Sequence, residues 1–477
     1  MIVLALESST SSAKAILYDS ECGVLSVETA PYPAQICADG VSDTKAVAEL
    51  TLRLGAKAAR GREVAAVALC GTWHNLAICG SDVRDPDKTY SWNFMAPSEL
   101  CSAMRRDRAL TAELYRRTGC MPHVTYPRQA LLYLRENGME LKKRRFISQG
   151  SYLFYLLTGE YCETRSTMSG SGLLNIHSLE YDEAVQELLS LSPSQFGALC
   201  TYEDVRPLHR SGAALLGVQP GIPVVPAYPD GALNQISSCA AEAGKMTLSV
   251  GTSAAIRLTS PEPVLSEQQK LWCYYGVTGW MSGAATAGAC NCINWYVQQY
   301  LQNRWSFSEL EQPSEGRSTP VFLPFLFGER CPGWQDHRPG GFMELKDGQT
   351  VCDLYRGVQE GVLYHLYQCY EALRQSAGEP EEILVSGGIL HSPGWTQMLA
   401  DIFGREIACL PNLHASTMGA VILALHAAGA QPDIRGFRED HDRAKRIRPS
   451  KERAAYYAAQ YERYLRWYER TGDPARS

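Results

Sequence analysis

Residues 4–19, LALESSTSSAKAILYD, set two apolar runs around a cluster of small hydroxyl residues. The runs at 2–6 and 13–18 predict the arms of a β-hairpin, with the polar cluster as its turn. About half a chain later, residues 246–258 read MTLSVGTSAAIRL and repeat the plan of strand, hydroxyl-bearing turn, strand. Turn N–H groups and hydroxyls donate to phosphate oxygens. Two similar halves, each offering such a turn to a common cleft, would make a two-jawed phosphate holder. One turn of this kind is more often simply how a hairpin reverses; two in matching positions narrow that margin.

The segments around these turns predict an α/β fold. Residues 64–70 and 222–228 read as short buried strands, and 127–136 and 151–157 between them have helical patterns. In the second half, strands are expected at 246–250, 254–258 and 383–385, and helices at 353–373 and 395–403. The small apolar run 419–427 suits a helix packed close to a sheet, and tyrosines 456, 457, 461, 464 and 468 predict an amphipathic closing helix. Strands alternating with helices argue for layered sheets.

A chain of 477 residues exceeds what one core usually supports, so two domains are expected, at 1–242 and 243–477. A formal charge of −6 gives no general attraction to nucleic acid or to membrane surfaces. No apolar window is long enough to span a bilayer, and the opening MIVLALESS lacks the basic lead-in of a signal peptide, so a cytoplasmic protein is expected. The 16 cysteines are scattered, with Cys290 and Cys292 the one close pair. Without metal-ligand spacing they read as small buried apolar residues.

Three places stand out chemically. Glu7 ends an apolar strand beside the first hydroxyl cluster, where a carboxylate either reaches solvent or holds Mg²⁺ against phosphates. Trp73-His74-Asn75 follow the strand at 64–70 and so lie at its carboxyl end, where α/β sheets bind ligands. An aromatic ring, an imidazole and an amide together suit a polyol, although from this segment alone a histidine satisfied within its own loop is the commoner outcome. Residues 225–234, VPAYPDGALN, deliver Asp230 from a buried run to the start of a small-residue helix. There it is either a helix N-cap or a general base for a substrate hydroxyl.

Taken in order, the motifs LALESSTSSAKAILYD, CGTWHN, SYLFYLLTGE, SGSGLLN, PDGALN, LSVGTSAAIR, FLPFLFGERCP and VSGGILHSPGWTQMLADIFG with MGAVILAL resemble the FGGY carbohydrate kinases. These form a branch of the actin/Hsp70/hexokinase-like superfamily. The resemblance covers about residues 2–470. It implies two ribonuclease-H-like domains, each a mixed five-stranded sheet flanked by helices, around a deep cleft. It further implies ATP-dependent phosphorylation of a sugar hydroxyl, with Asp230 as catalytic base. Trp73, His74, Trp92 and Tyr126 would contact the sugar. Ser9, Thr10, Ser11 and Lys14 on one side, and Gly251, Thr252 and Ser253 on the other, would hold ATP phosphates. Gly283, Gly288, Gly387 and Gly388 would flank the nucleotide, with Ser392 and Gln397 nearby, and Glu7 and Asp230 would serve Mg²⁺.

The Asp-Gly-Ala after the strand is closest to the gluconate kinase branch, so a sugar acid is the expected partner, with a homodimer allowed. Several positions depart from the family pattern. Trp92-Asn93-Phe94-Met95-Ala96 lacks the acidic and basic residues of a Trp-x-Asp-x-Arg motif. Either Arg128 or Arg165 then meets the sugar carboxylate, or the substrate is a neutral ketose or polyol. Glu7 replaces Asp, Ser9 replaces Gly, Thr164 stands where Asp is frequent and His414 where Glu is frequent. These changes also admit a sugar or nucleotide sensor that no longer turns over.

Overall fold

The computed structural model describes residues 1–311, 319–411, 414–437 and 439–472, the side chains of 439 and 440 excepted. The first hairpin forms as β1 (Ile2–Ser8) and β2 (Ser12–Asp19), continued by β3 (Gly23–Pro31). Nearly every residue of β1 is buried, the mark of a strand covered on both faces. Helix α1 (Thr44–Ala59) covers one face of this meander, β4 (Ala66–Gly71) joins β1 in parallel, and β6 (Pro223–Pro229) joins β4 in parallel. A short edge strand, β5 (Arg206–Pro207), brings the sheet to six strands in the order β5-β6-β4-β1-β2-β3.

The second sheet repeats this topology. Strands β7 (Lys245–Val250), β8 (Ala254–Ser260) and β10 (Trp280–Thr286) form the antiparallel meander, with β9 (Trp272–Tyr275) added at its edge. On the other side β11 (Glu382–Ser386) and β12 (Ile407–Cys409) are parallel to β7, followed by antiparallel β13 (Lys445–Ile447). The order is β9-β10-β8-β7-β11-β12-β13. Each sheet thus contains the expected five-strand plan, three antiparallel strands and two parallel ones, and the added edge strands raise the counts to six and seven.

Helices carry the expected small-residue contacts. α2 (Asp230–Ser237) begins directly after β6 and packs on α3 (Ala415–Ala427), where a Cβ on Gly419 would stand 2.2 Å from the Leu233 carbonyl oxygen. The closing helix α4 (Lys451–Arg470) buries Tyr457, Tyr461 and Tyr464. All 16 cysteines are free thiols, and Cys22 alone among them is exposed. Among the described residues, no helix is long and apolar enough to cross a membrane.

One buried acid will be visible in stability. Glu163 accepts from the Ser148 N–H at 2.6 Å and from the Ser148 and Ser151 hydroxyls at 2.9 and 2.8 Å. Burial outweighs these donors and pushes its carboxyl up to about 7. The folded chain therefore holds this proton more tightly than the unfolded one, and stability falls as pH rises from the ordinary glutamate value toward 7. A tenfold change in proton affinity corresponds to about 1.4 kcal/mol, which makes the loss roughly 3 kcal/mol. Glu163→Gln is expected to remove that slope when denaturant midpoints are compared at pH 5 and pH 8. An unchanged slope would refute the assignment.

Candidate active site

The two parallel strands β4 and β6 end side by side, with Tyr228 opposite Cys70 and Pro229 opposite Gly71. Their continuations therefore meet, and the Trp73 N–H donates to Asp230 Oδ1 at 3.3 Å. Asp230 is not an N-cap: Pro229 holds that position in extended conformation, and Asp230 is the first helical residue of α2. Its Oδ1 also accepts from the Gly231 N–H at 2.8 Å, and among the described residues no hydrogen bond engages Oδ2. Burial raises the Asp230 carboxyl above the ordinary aspartate value, while the Arg257 guanidinium pulls in the opposite direction. Asp230 and its neighbours line a cavity of about 210 Å³ between the two sheets, which includes Trp73, His74, Trp92, Arg257, Trp272, Tyr274 and Arg330.

The cavity wall is aromatic and built from both halves of the chain. Trp272 and Tyr274 of β9 stack at 4.1 Å, and Trp73 lies 5.1 Å from Tyr274. The Tyr126 hydroxyl meets the Tyr274 hydroxyl at 2.8 Å. Trp73 Nε1 donates to the Ser166 carbonyl at 2.9 Å, fixing the ring. His74 adopts a left-handed backbone with φ 59° and sets its Nδ1 against the Gly170 carbonyl. Burial lowers its pKa to about 3, so the imidazole is neutral. With Nδ1 protonated toward that carbonyl, Nε2 is an acceptor. Asn75 instead accepts from the Gln149 N–H and turns into the first domain.

The two hydroxyl turns differ in detail. Ser9 Oγ donates to the Ser12 carbonyl at 2.8 Å and lies 3.1 Å from the Ser12 hydroxyl, closing the first turn on itself. Thr10 Oγ1 accepts from Trp92 Nε1 at 3.0 Å, which ties Trp92 to that turn. In the second turn the Gly251 N–H donates to the Ser253 carbonyl, and the Cys290 and Asn291 N–H groups donate to the Gly251 and Thr252 carbonyls. Gly387, at φ 98°, is packed so closely that a Cβ would lie 2.5 Å from the Val250 carbonyl oxygen; Gly388 touches Cys290. The structure thus brings Gly387 and Gly388 against Val250, the residue directly before the Gly251–Ser253 turn.

Other expected residues have local roles. Gly283 sits mid-strand opposite Arg257 and leaves room for the Trp272 ring, while Gly288 admits the Pro324 carbonyl. Ser392 caps the helix Pro393–Phe403, and Gln397 donates to Asp401 and to the Arg448 carbonyl. Arg128 is fully buried and spends its guanidinium on Gln129, Thr118 and the carbonyls of Cys120, Met121 and Gly172. Arg165 pairs with Glu180 at 3.1 Å. Neither arginine lines the Asp230 cavity. The arginines that do, Arg257 and Arg330, lie within the motifs LSVGTSAAIR and FLPFLFGERCP, but strand alternation alone does not say which face looks into a cleft.

Glu7 also takes a different role. It is 5% exposed, and its oxygens accept from Lys14 Nζ at 3.0 Å, from Ser416 Oγ at 3.0 Å and from Thr417 Oγ1. Ser416 and Thr417 open α3, so this carboxylate ties the first turn to the second half of the chain. With both oxygens so occupied, Glu7 does not fit a metal ligand in this arrangement. Among the described residues no group of three or more His, Cys, Asp or Glu side chains is placed to hold a metal ion.

Comparison with known proteins agrees with this geometry. Residues 2–237 match the N-terminal domain, and residues 246–428 the C-terminal domain, of the FGGY family of carbohydrate kinases. The chain is 25% identical over 457 residues to a gluconokinase of Bacillus subtilis, covering 90% of this chain and 88% of that protein. It is 24% identical over 420 residues to a xylulose kinase of Escherichia coli, covering 86% and 85%. The crystal structure of gluconate kinase from Lactobacillus acidophilus superposes with a TM-score of 0.91 at 23% identity, over 98% of this chain and 97% of that one. Two matched domains, a repeated sheet and one shared cavity lead to a single assignment: the chain belongs to the FGGY family of carbohydrate kinases, and is a sugar kinase that uses ATP.

Proposed function

We propose that this kinase transfers the γ-phosphoryl group of ATP to a hydroxyl of a sugar acid such as gluconate, with Asp230 as general base. The observation that carries the reading is the placement of Asp230: a carboxylate at the shared end of two parallel strands, with one oxygen fixed by two N–H groups, the other without a hydrogen bond among the described residues, and an interdomain cavity in front. In the step, the substrate hydroxyl gives its proton to Asp230 as its oxygen bonds to the γ-phosphorus. The bond from that phosphorus to the β–γ bridging oxygen breaks, and ADP leaves with the electron pair. The His74 Nε2 acceptor and the Trp73 and Trp92 rings would orient the acceptor, while Tyr126, expected at the sugar, is fully buried outside the cavity lining and braces Tyr274 instead. Closure of the aromatic wall would keep water from competing for the phosphoryl group.

Ser9, Thr10, Ser11 and Lys14 on one jaw, and Gly251, Thr252 and Ser253 on the other, would face the phosphates, with Gly387 and Gly388 beside the nucleotide. Because Glu7 is engaged, Mg²⁺ would enter as part of the nucleotide substrate rather than in a protein-built cage. The cytoplasm, where ATP is abundant, is the compartment this reading implies. A neutral ketose is the second reading, favoured by the likeness to a xylulose kinase and by Asn93 to Ala96, which offer no charged partner.

An acceptor panel tests both. ADP release is expected with gluconate and weak or absent with D-xylulose and glycerol. Preferential use of D-xylulose would move the assignment to the ketose, and silence on all three acceptors would overturn both readings of the substrate.

A further inference from the structure

The 210 Å³ cavity carries an imbalance of charge. Among its lining residues Asp230 is the sole carboxylate, whereas Arg257 and Arg330 contribute two guanidiniums, and His74 is neutral. Neither guanidinium is used up by the protein. Arg257 donates through Nη1 to Ser249 Oγ at 3.1 Å, and its buried Nε has no hydrogen-bond partner. It acts on Asp230 only through space. Arg330 stands 5.8 Å from the centre of the Trp92 ring, and its Nε is likewise buried without a partner. Each Nε is closed to solvent, but among the described residues no hydrogen bond engages Arg257 Nη2 or either Nη of Arg330, and guanidinium donors left unpaired on a cavity wall fit a partner from outside the chain. Two of them in one small cavity, beside a single negative charge, fit an oxyanion. The guanidinium fork matches a carboxylate in particular, since both are planar and pair through two parallel hydrogen bonds.

We propose that Arg257 and Arg330 are the specificity residues of the acceptor site, binding the carboxylate of an aldonic acid while Asp230 takes the proton from its hydroxyl. The proposal rests on the kinase reading and narrows it to an anionic acceptor. It also replaces the two arginines that the sequence suggested, since Arg128 and Arg165 lie elsewhere with partners of their own. A second oxyanion is available in the same reaction, the transferring phosphoryl group, and the test separates the two.

Gluconate and its uncharged counterpart D-glucitol are compared as acceptors at saturating ATP, for the wild type, Arg257→Met and Arg330→Gln, each checked for a native melting transition. The wild type is expected to prefer gluconate by about 100-fold in kcat/KM, because a site built to pair a charged group rejects the analogue lacking it. Each variant is expected to collapse that ratio toward one, chiefly through a higher KM for gluconate. Two results would overturn the proposal: a wild type that uses D-glucitol as well as gluconate, or variants in which both acceptors lose kcat equally and the ratio persists. The latter pattern marks arginines that serve the phosphoryl group. Should the wild type phosphorylate neither compound, the sugar-acid reading of the acceptor fails instead. Calorimetric titration with the same two compounds then still decides the subsite, by binding of gluconate alone or by equal binding of both.

Discussion

Asp230→Asn is expected to fold normally and to lose about 10³-fold in kcat, the scale of a missing general base. Asparagine has the same shape and keeps an oxygen to accept from the Gly231 and Trp73 N–H groups, so the junction of β6 and α2 is preserved. What it cannot do is take the proton of the attacking hydroxyl. The direction of the Asp230 shift adds a pH signature. Burial raises its carboxyl, and only the ionised form is a base, so activity in the wild type should rise with pH through a midpoint above the ordinary aspartate value. The same shift bears on stability with the opposite sign. A carboxyl whose pKa is raised in the folded state binds its proton more tightly there, so stability falls as pH rises between the unfolded and folded values. At neutral pH the Asn variant should therefore be at least as stable as the wild type, a trade of stability for function. Wild-type turnover by Asp230→Asn in an ADP-release assay would sink the assignment.

The second large effect concerns what holds Asp230 in place. Helix α2 is pinned by α3 through a contact that only glycine permits: a Cβ at Gly419 would sit 2.2 Å from the Leu233 carbonyl oxygen and 2.7 Å from the Leu233 Cβ. The obstacle is backbone and Cβ, so no side-chain rotation relieves it. Gly419→Leu should force the helices apart, costing about 3 kcal/mol as overpacking, and Gly419→Ala should cost less with the same sign. Because Leu233 lies one turn from Asp230 in α2, the displacement should also lower kcat. Denaturant midpoints and turnover of both variants check this. A Leu variant with wild-type values on both counts would show that the two helices are not packed as described.

Much of this was legible in the chain. The fully apolar β1, the two strand–turn–strand units and the Val-Pro-Ala-Tyr-Pro run before Asp230 announce buried strands and their ends by local pattern alone. Strand ends in α/β sheets are where ligands bind, so Trp73, His74 and Asp230 could be named from sequence, as could the helix at 127–136. Helix-forming tyrosine spacing likewise gave the closing helix its buried face.

The tertiary structure decided the rest, and for one physical reason. Period-two alternation tells which residues share a strand face but not what that face meets. Glu7, read as a metal ligand from its place beside a phosphate turn, instead meets Ser416 and Thr417, some 410 residues away in the chain. Arg257 and Arg330 sit inside recognisable motifs, yet they reach one cavity with Asp230 only because β8 and the segment before the Cys331–Pro332 bond converge there. The chain by itself determined the elements, their repeat and the residue we propose as the base. Which cations surround that residue, and hence the charge of the molecule we propose it acts on, was set by contacts between the two halves that no local pattern encodes.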